Sequence, residues 1–336
     1  MIRMARMTQG RPSGRPRESW PLRGRPDGRA YVRMIDKEPD NARFELGGPL
    51  LAPGVHRFAH SAMATIFEIY CAHPDAGYSA QAAQAAFDLV DRLEQELSRF
   101  IGNSDISRIN GLESGECAQV SPWTLECLQT ARRLYFETGK AFDVAIGTGL
   151  ESLELDSENM IVRSIAGGVR LDLGGIGKGY AVDRMAEVLE EWEINRSLLH
   201  GGFSSVIALE PPADSDGWPL TLSRPGPGDG KPLARISSRD QVFSASGVRK
   251  GDHIVDPREG RPVQDRVAAW VSLPRRAPQF QEAAAVAEGL STAFMILSRE
   301  EIDRCREGRA GLEVWLVTKN GENRSGEHEV LHLPAA

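Results

Sequence analysis

Apolar and polar positions alternate over short runs of this chain and recur at helical spacing over longer ones. Residues 57–70 read as a first strand, ending in the alternating Ile66, Glu68 and Tyr70. Residues 80–100 predict an amphipathic helix, with Ala83, Phe87, Val90, Leu93 and Leu97 on one face and acidic residues opposite. A second helix opens at Ser121-Pro122, a hydroxyl cap followed by proline in the first turn, and ends near Gly139. Val169–Leu173 reads as a short strand leading into a glycine-rich turn. The helix after that turn carries Ala181, Met185, Val188 and Trp192 at helical spacing. Residues 198–209 read as one buried strand containing a glycine pair. The Pro/Gly/Asp-rich residues 211–231 read as a long exposed connection. Strands near 241–245 and 268–273 follow, then a helix over 282–297. Ser298 with Glu301 three residues on predicts a boxed cap for a last short helix. Strands and helices mix without strict alternation, which favours an α+β fold of two closely coupled lobes.

Composition narrows the function classes. The chain has 336 residues, 41% hydrophobic and 26% charged, as in ordinary globular proteins. No apolar run approaches the roughly 18 residues that span a bilayer, so an integral membrane protein is not expected. The net charge of −7 is unevenly spread. Nine arginines against Glu18 and Asp27 make residues 1–34 strongly basic, so the remainder is more acidic than the whole. An acidic body argues against nucleic acid as a partner. Residues 1–44 read as a disordered Arg/Pro/Gly-rich leader, 45–320 as the domain and 321–336 as a polar tail. The leader lacks the apolar core of an export signal, so the chain as written reads as cytoplasmic. Cys71, Cys117, Cys127 and Cys305 form no CxxC pair and read as buried free thiols.

Four segments have compositions that packing alone does not demand. In Asp172-Leu173-Gly174-Gly175-Ile176-Gly177-Lys178-Gly179, glycines between a strand and a helix bare their amides at the helix's positive end, beside a mobile cation. This suits a phosphate, or else a tight structural turn; neither the Walker nor the Rossmann spacing fits. In the second segment His253, Asp256 and Arg258 lie close in sequence, a base and an anion-binding group or a solvated hairpin. In the third, Glu288 and Thr292 sit at i and i+4, so both oxygens project from one helical face. Carboxylate plus hydroxyl suits a hard cation such as Mg²⁺; the alternative is an exposed Glu and a Thr bonded back to its own helix. The fourth pairs Met63-Ala64-Thr65, small residues around a soft side chain, with the polar turn 98–110.

Together these segments resemble the FAD:protein FMN transferase family, the ApbE group, in order across roughly residues 58–318. Met63-Ala64-Thr65 is similar to the family's Met-Gly-Thr. Ser104–Asn110 is similar to its Ser-Glu-Ile-Ser-x-Ile-Asn, and Phe142-Asp143-Val144 to its Phe-Asp-Ile. Residues 172–183 are nearly its Asp-Leu-Gly-Gly-Ile-Ala-Lys-Gly-Tyr-Ala-Val-Asp. Gly201-Gly202, Ser246-Gly247, His253-Ile254-Val255-Asp256-Pro257 and Leu290-Ser291-Thr292-Ala293 complete the set.

The resemblance implies an ApbE-like, T-fold-like architecture and a reaction. A Thr or Ser hydroxyl of a client protein attacks the FMN-side phosphorus of FAD, and AMP leaves, with Mg²⁺ at the diphosphate. It implies Glu288, Thr292 and the Gly177 carbonyl as metal ligands and His253 as base. Lys178, Asp143, Met63, Thr65, Gly175, Gly201, Gly202 and Ser246 would contact FAD. Several positions depart from the pattern: Glu288 for Asp, Gly177 for Ala, Phe203 for Asp, Leu199 for Asn, and Ala145 and Ala245 for Thr. The stretch from Gly247 to His253 is also short. The missing polar contacts motivate one rival, a flavin binder without transfer activity; a second is a Mg²⁺-dependent FAD pyrophosphatase giving FMN and AMP, in which water replaces the client's hydroxyl. A scaffold role would predict no flavin retention.

Overall fold

Eight antiparallel strands lie side by side in the order in which the chain makes them. In the computed structural model, which describes residues 44–46, 54–223, 232–248, 254–276, 281–319 and 328–335, they are β1 (Val55–Ala62), β2 (Thr65–Ala72), β3 (Ser197–Gly201), β4 (Ser205–Ala208), β5 (Gln241–Gly247), β6 (Arg266–Pro274), β7 (Glu313–Lys319) and β8 (His328–Leu333). The helices are insertions in this meander. Between β2 and β3 come α1 (Ala76–Leu97), α2 (Asp105–Asn110), α3 (Pro122–Glu137) and α4 (Gly177–Glu191). Between β6 and β7 come α5 (Ala283–Ala293) and α6 (Arg299–Arg306). Mixed helices and antiparallel sheets make the fold α+β, as expected.

Strand alternation builds two cores. Phe67, Ile69, Cys71, Leu199 and Ile207 turn toward the helices. Tyr70, Leu198, Val206, Ala208, Phe243 and Trp270 turn the other way. That second face is covered by a three-stranded sheet of Phe44–Leu46, Trp218–Leu222 and Ala234–Ser238, which contributes Trp218, Leu220 and Leu222. On the first face α5 is buried nearly all round, as an apolar helix should be.

Several sequence expectations change. The predicted strand over 57–70 is a hairpin, because Met63 and Ala64 form a two-residue turn with φ of 49° and 56°. Residues 198–209 are likewise two strands, β3 and β4, reversed at Gly202, Phe203 and Ser204. Val169–Leu173 makes no strand; Leu173–Gly175 is a 3₁₀ turn and Asp172 N–H donates to Val144 O at 2.8 Å. The segment read as an exposed connection contains the buried Trp218–Leu222, with residues 224–231 outside the described set. The tail drawn at 321–336 contributes edge strand β8, so the domain extends past 320. Cys117 is exposed, unlike the other three thiols. The leader's residues 1–43 lie outside the described residues.

Candidate functional site

The site centres on the crossing of α4 and α5, whose backbones touch. A β-carbon on Gly179 would lie 2.3 Å from Ala284 O and 2.8 Å from Ala285 N, so only glycine permits the approach. Contact this close lets each helix cap the other. Ile176, which precedes α4, makes no side-chain cap; Glu288 of α5 instead accepts from Gly179 N–H at 2.6 Å. In return Asp183 of α4 accepts from the Ala284 and Ala285 amides at 3.0 and 2.9 Å. Both carboxylates sit at positive helix ends. Burial pushes the Asp183 carboxyl up to about 7 despite those two hydrogen bonds.

Glu288 is the only charged residue within α5, and it is 4% exposed. Its second oxygen pairs with the Lys178 ammonium, which also donates to Gly174 O at 3.1 Å. A buried carboxylate without such partners would be very costly. One turn on, Thr292 and Ser291 hydroxyls donate to Glu288 O at 3.2 and 2.9 Å. Ser246, at the end of β5, reaches Thr292 Oγ1 at 3.1 Å and Ser291 Oγ at 2.9 Å. A β-carbon built on Gly175 would lie 3.8 Å from Thr292 Oγ1 and 3.3 Å from the Phe142 ring. The glycine turn, the start of α4, the Glu288 turn of α5 and the end of β5 thus converge.

A second group adjoins the first through β5. Ser204 O, in the β3–β4 turn, accepts from Ala245 N at 2.8 Å, one residue from Ser246. In that turn Gly202 has φ +62°, and a β-carbon there would meet Thr65 Oγ1 at 2.6 Å. Thr65 begins β2 immediately after Met63-Ala64, so Met63, Thr65, Gly201 and Gly202 gather at one end of the sheet. Both Met63 and Phe203 hold left-handed backbone without being glycine, strain of a kind that concentrates at functional sites.

Asp143 spends both carboxylate oxygens on its own turn, accepting from Ala145 N at 2.8 Å and Gly147 N at 2.7 Å. Val144 O binds Asp172 N at 2.8 Å, which fixes that turn to the glycine segment. Asp172 itself accepts from Gly174 N at 2.9 Å and pairs with Arg99 at 3.0 Å. Gly147 lies near Pro257 O, at 3.5 Å from a built β-carbon, so the Asp143 turn abuts the 254–262 hairpin. His253 and the short stretch 249–253 lie outside the described residues. Arg258 is held by Asp256 at 2.8 Å and by Glu301 at 3.0 Å. Thr292 bonds back to its helix, as the sequence alternative allowed, but Glu288 is buried and not exposed.

Sequence reasoning missed a buried network behind the β3–β4 turn. Glu68 accepts from Arg57 at 2.6 Å and Tyr70 at 3.0 Å, and lies 2.7 Å from His200 Nε2. Burial would raise the Glu68 carboxyl, but His200 and Arg57 outweigh it and hold it at about 2. Phe203, the departure in the glycine-pair segment, sets its ring 4.5 Å from that of His200. Alternation of Glu68 with flanking apolar residues was visible; its partner across the strand was not.

Comparison with known proteins places this architecture. An FAD:protein FMN transferase of Vibrio cholerae is 26% identical over 253 residues, 63% of this chain and 72% of the relative. That of Escherichia coli K12 is 24% identical over 295 residues, 74% of this chain and 80% of the relative. Among solved structures, Pseudomonas stutzeri flavinyl transferase ApbE in its apo form superposes with a TM-score of 0.70 at 19% identity, covering 83% of this chain and 94% of its own. The Vibrio cholerae flavin transferase ApbE gives 0.69 at 20% identity, covering 83% and 97%. The sequence pattern of the ApbE family matches residues 63–316. That span takes in the glycine turn, the β3–β4 turn, Ser246 and the Glu288–Thr292 turn, and the chain belongs to the ApbE family.

Proposed function

We propose that this protein transfers the FMN half of FAD to a threonine or serine hydroxyl of a client protein and releases AMP. The observation that carries the reading is the convergence of the glycine turn, Lys178, Glu288, Thr292 and Ser246 on one place in a chain of this family. In the reaction the client's hydroxyl oxygen bonds to the FMN-side phosphorus. The bond from that phosphorus to the bridging oxygen breaks, and the oxygen leaves on AMP. Transfer between phosphates and hydroxyls depends on positioning and charge neutralisation more than on covalent chemistry.

The residues divide this work. Lys178, tethered at the start of α4, reaches anionic oxygens without moving the helix. The left-handed turns at Met63-Ala64 and Gly202-Phe203 fix the sheet end, where Met63, Thr65, Gly201 and Gly202 line the flavin side. His253 takes the hydroxyl proton. That role comes from the family resemblance of the His253-Ile254-Val255-Asp256-Pro257 segment, and a histidine suits it because its imidazole can take a proton near neutral pH.

The family implies Mg²⁺, and the donor chemistry fits it. Glu288, Thr292 and Ser246 offer one carboxylate and two hydroxyls, all hard oxygens. Mg²⁺ commonly keeps several waters or phosphate oxygens as its remaining ligands, so a single carboxylate with hydroxyls can serve it. Glu288, Thr292 and the Gly177 carbonyl would hold it, and its charge would neutralise the diphosphate. Among the described residues no helix is long and apolar enough to cross a membrane.

His253→Ala separates binding from transfer. FAD binding, followed by flavin fluorescence, stays near wild type while AMP release with an acceptor domain falls by about 10²–10⁴-fold. Full activity in this variant would remove His253 from the mechanism.

A further inference from the structure

The Glu288 carboxylate has both oxygens engaged: one by Lys178, the other by Gly179 N–H at 2.6 Å. The resemblance places aspartate here, and glutamate's extra methylene lengthens the reach from α5 toward α4. The two partners differ in kind. Gly179 N–H belongs to the helix and cannot leave. Lys178 is a flexible side chain, 23% exposed against 5% for Glu288, and has a route to solvent.

We propose that Lys178 and a divalent cation are alternative occupants of the Glu288 carboxylate, so that the ion pair closes the cation site until a metal displaces the ammonium. One carboxylate does not hold two cations at contact distance without strong mutual repulsion. The Gly179 amide keeps the carboxylate oriented while Lys178 departs. The released ammonium, anchored one residue after Gly177, remains beside the glycine turn and is free for an anionic oxygen. Metal entry and lysine delivery are therefore one event. The identity of that anion as the FAD diphosphate rests on the transfer reading; the competition at Glu288 does not.

The test uses the full chain, without flavin or acceptor, and Mn²⁺ as the probe, with binding read from loss of the free-ion paramagnetic signal. Lys178→Met keeps the length and removes the charge. It is expected to bind Mn²⁺ at least about tenfold more tightly than wild type, while Lys178→Arg stays near wild type. Glu288→Asp draws the carboxylate back from Lys178 and is expected to shift affinity in the same direction, which covers the case of a poorly folded Lys178→Met. Equal or weaker Mn²⁺ binding by the folded variants overturns the proposal. Because no flavin is present, failure of transfer in a separate assay leaves this result intact, and the reverse also holds.

Discussion

Replacing Gly179 by alanine is the sharpest structural perturbation, because two effects of opposite sign compete. Helix propensity alone favours alanine by about 1 kcal/mol. Yet the new methyl would lie 2.3 Å from Ala284 O and 2.6 Å from Ala284 C, both backbone atoms of α5. Ordinary contact begins near 3.4 Å, so the helices must separate by about 1 Å. Such overpacking costs about 1–3 kcal/mol. The separation also stretches the 2.6 Å bond from Gly179 N–H to Glu288, and a hydrogen bond to a charged group is worth about 1.5–3 kcal/mol. The net loss is about 2–5 kcal/mol, or a fall in Tm of about 4–10 °C for a domain of this size. Thermal unfolding of the full chain at fixed concentration and scan rate measures it. An unchanged or raised Tm would refute the backbone contact on which the paired caps depend.

Other outcomes follow from the same contacts. Asp183 binds its proton more tightly in the folded state, up to about 7, than in the unfolded chain. Stability therefore falls as pH rises from about 4 to 7 and is flat above, and Asp183→Asn should flatten that slope in urea titrations at several pH values. Glu68 is the reverse case, held at about 2: its contribution is complete above about 4.5 and is lost on acidification toward pH 2. Glu68→Gln should remove that acid transition and, by taking the carboxylate out of its buried network with His200 and Tyr70, cost about 3–5 kcal/mol. Gly202→Ala should lower FAD affinity and cost about 1–3 kcal/mol, from the left-handed backbone and the Thr65 hydroxyl 2.6 Å away. Adding Thr65→Ala should restore part of the stability, as a double-mutant cycle would read.

The helices other than α2 were legible because their signals are local; α2, six residues long and capped by Ser104, lies in what read as a polar turn. Asp75 and Ser121 cap α1 and α3 through their own side chains, and Ser298 with Glu301 forms the expected box before α6. The two hairpins were missed for a local reason too. A two-residue reversal normally advertises itself with Asn or Gly, and Met63-Ala64 carries neither. Gly202-Phe203-Ser204 put its glycine inside an apolar run that reads as one buried strand. Strand pairing left no trace in spacing. The buried Trp218 strand lies in a Pro/Gly-rich stretch, and β8 in a polar one; each shows itself only through its register against a partner, Ala234–Ser238 for the first and β7 for the second.

At the site, Glu288, Thr292, Lys178, Gly175 and Ser246 were each named from the sequence, and the fold brings them within contact. What the sequence did not reveal is how they are joined. Lys178 is engaged with Glu288, and the caps run between helices and not within them. Asp143, expected to face the nucleotide, turns both oxygens to its own loop. Its effect on the glycine segment passes through Val144 O and Asp172 N.

The central claim is tested most directly by the intact mass of an acceptor domain after incubation with this protein, FAD and Mg²⁺. Transfer adds one FMN moiety to a single hydroxyl residue, releases AMP in equal amount, and gives neither product when EDTA is present. AMP and free FMN with an acceptor of unchanged mass would contradict it, and would make the protein a hydrolase of the same bond.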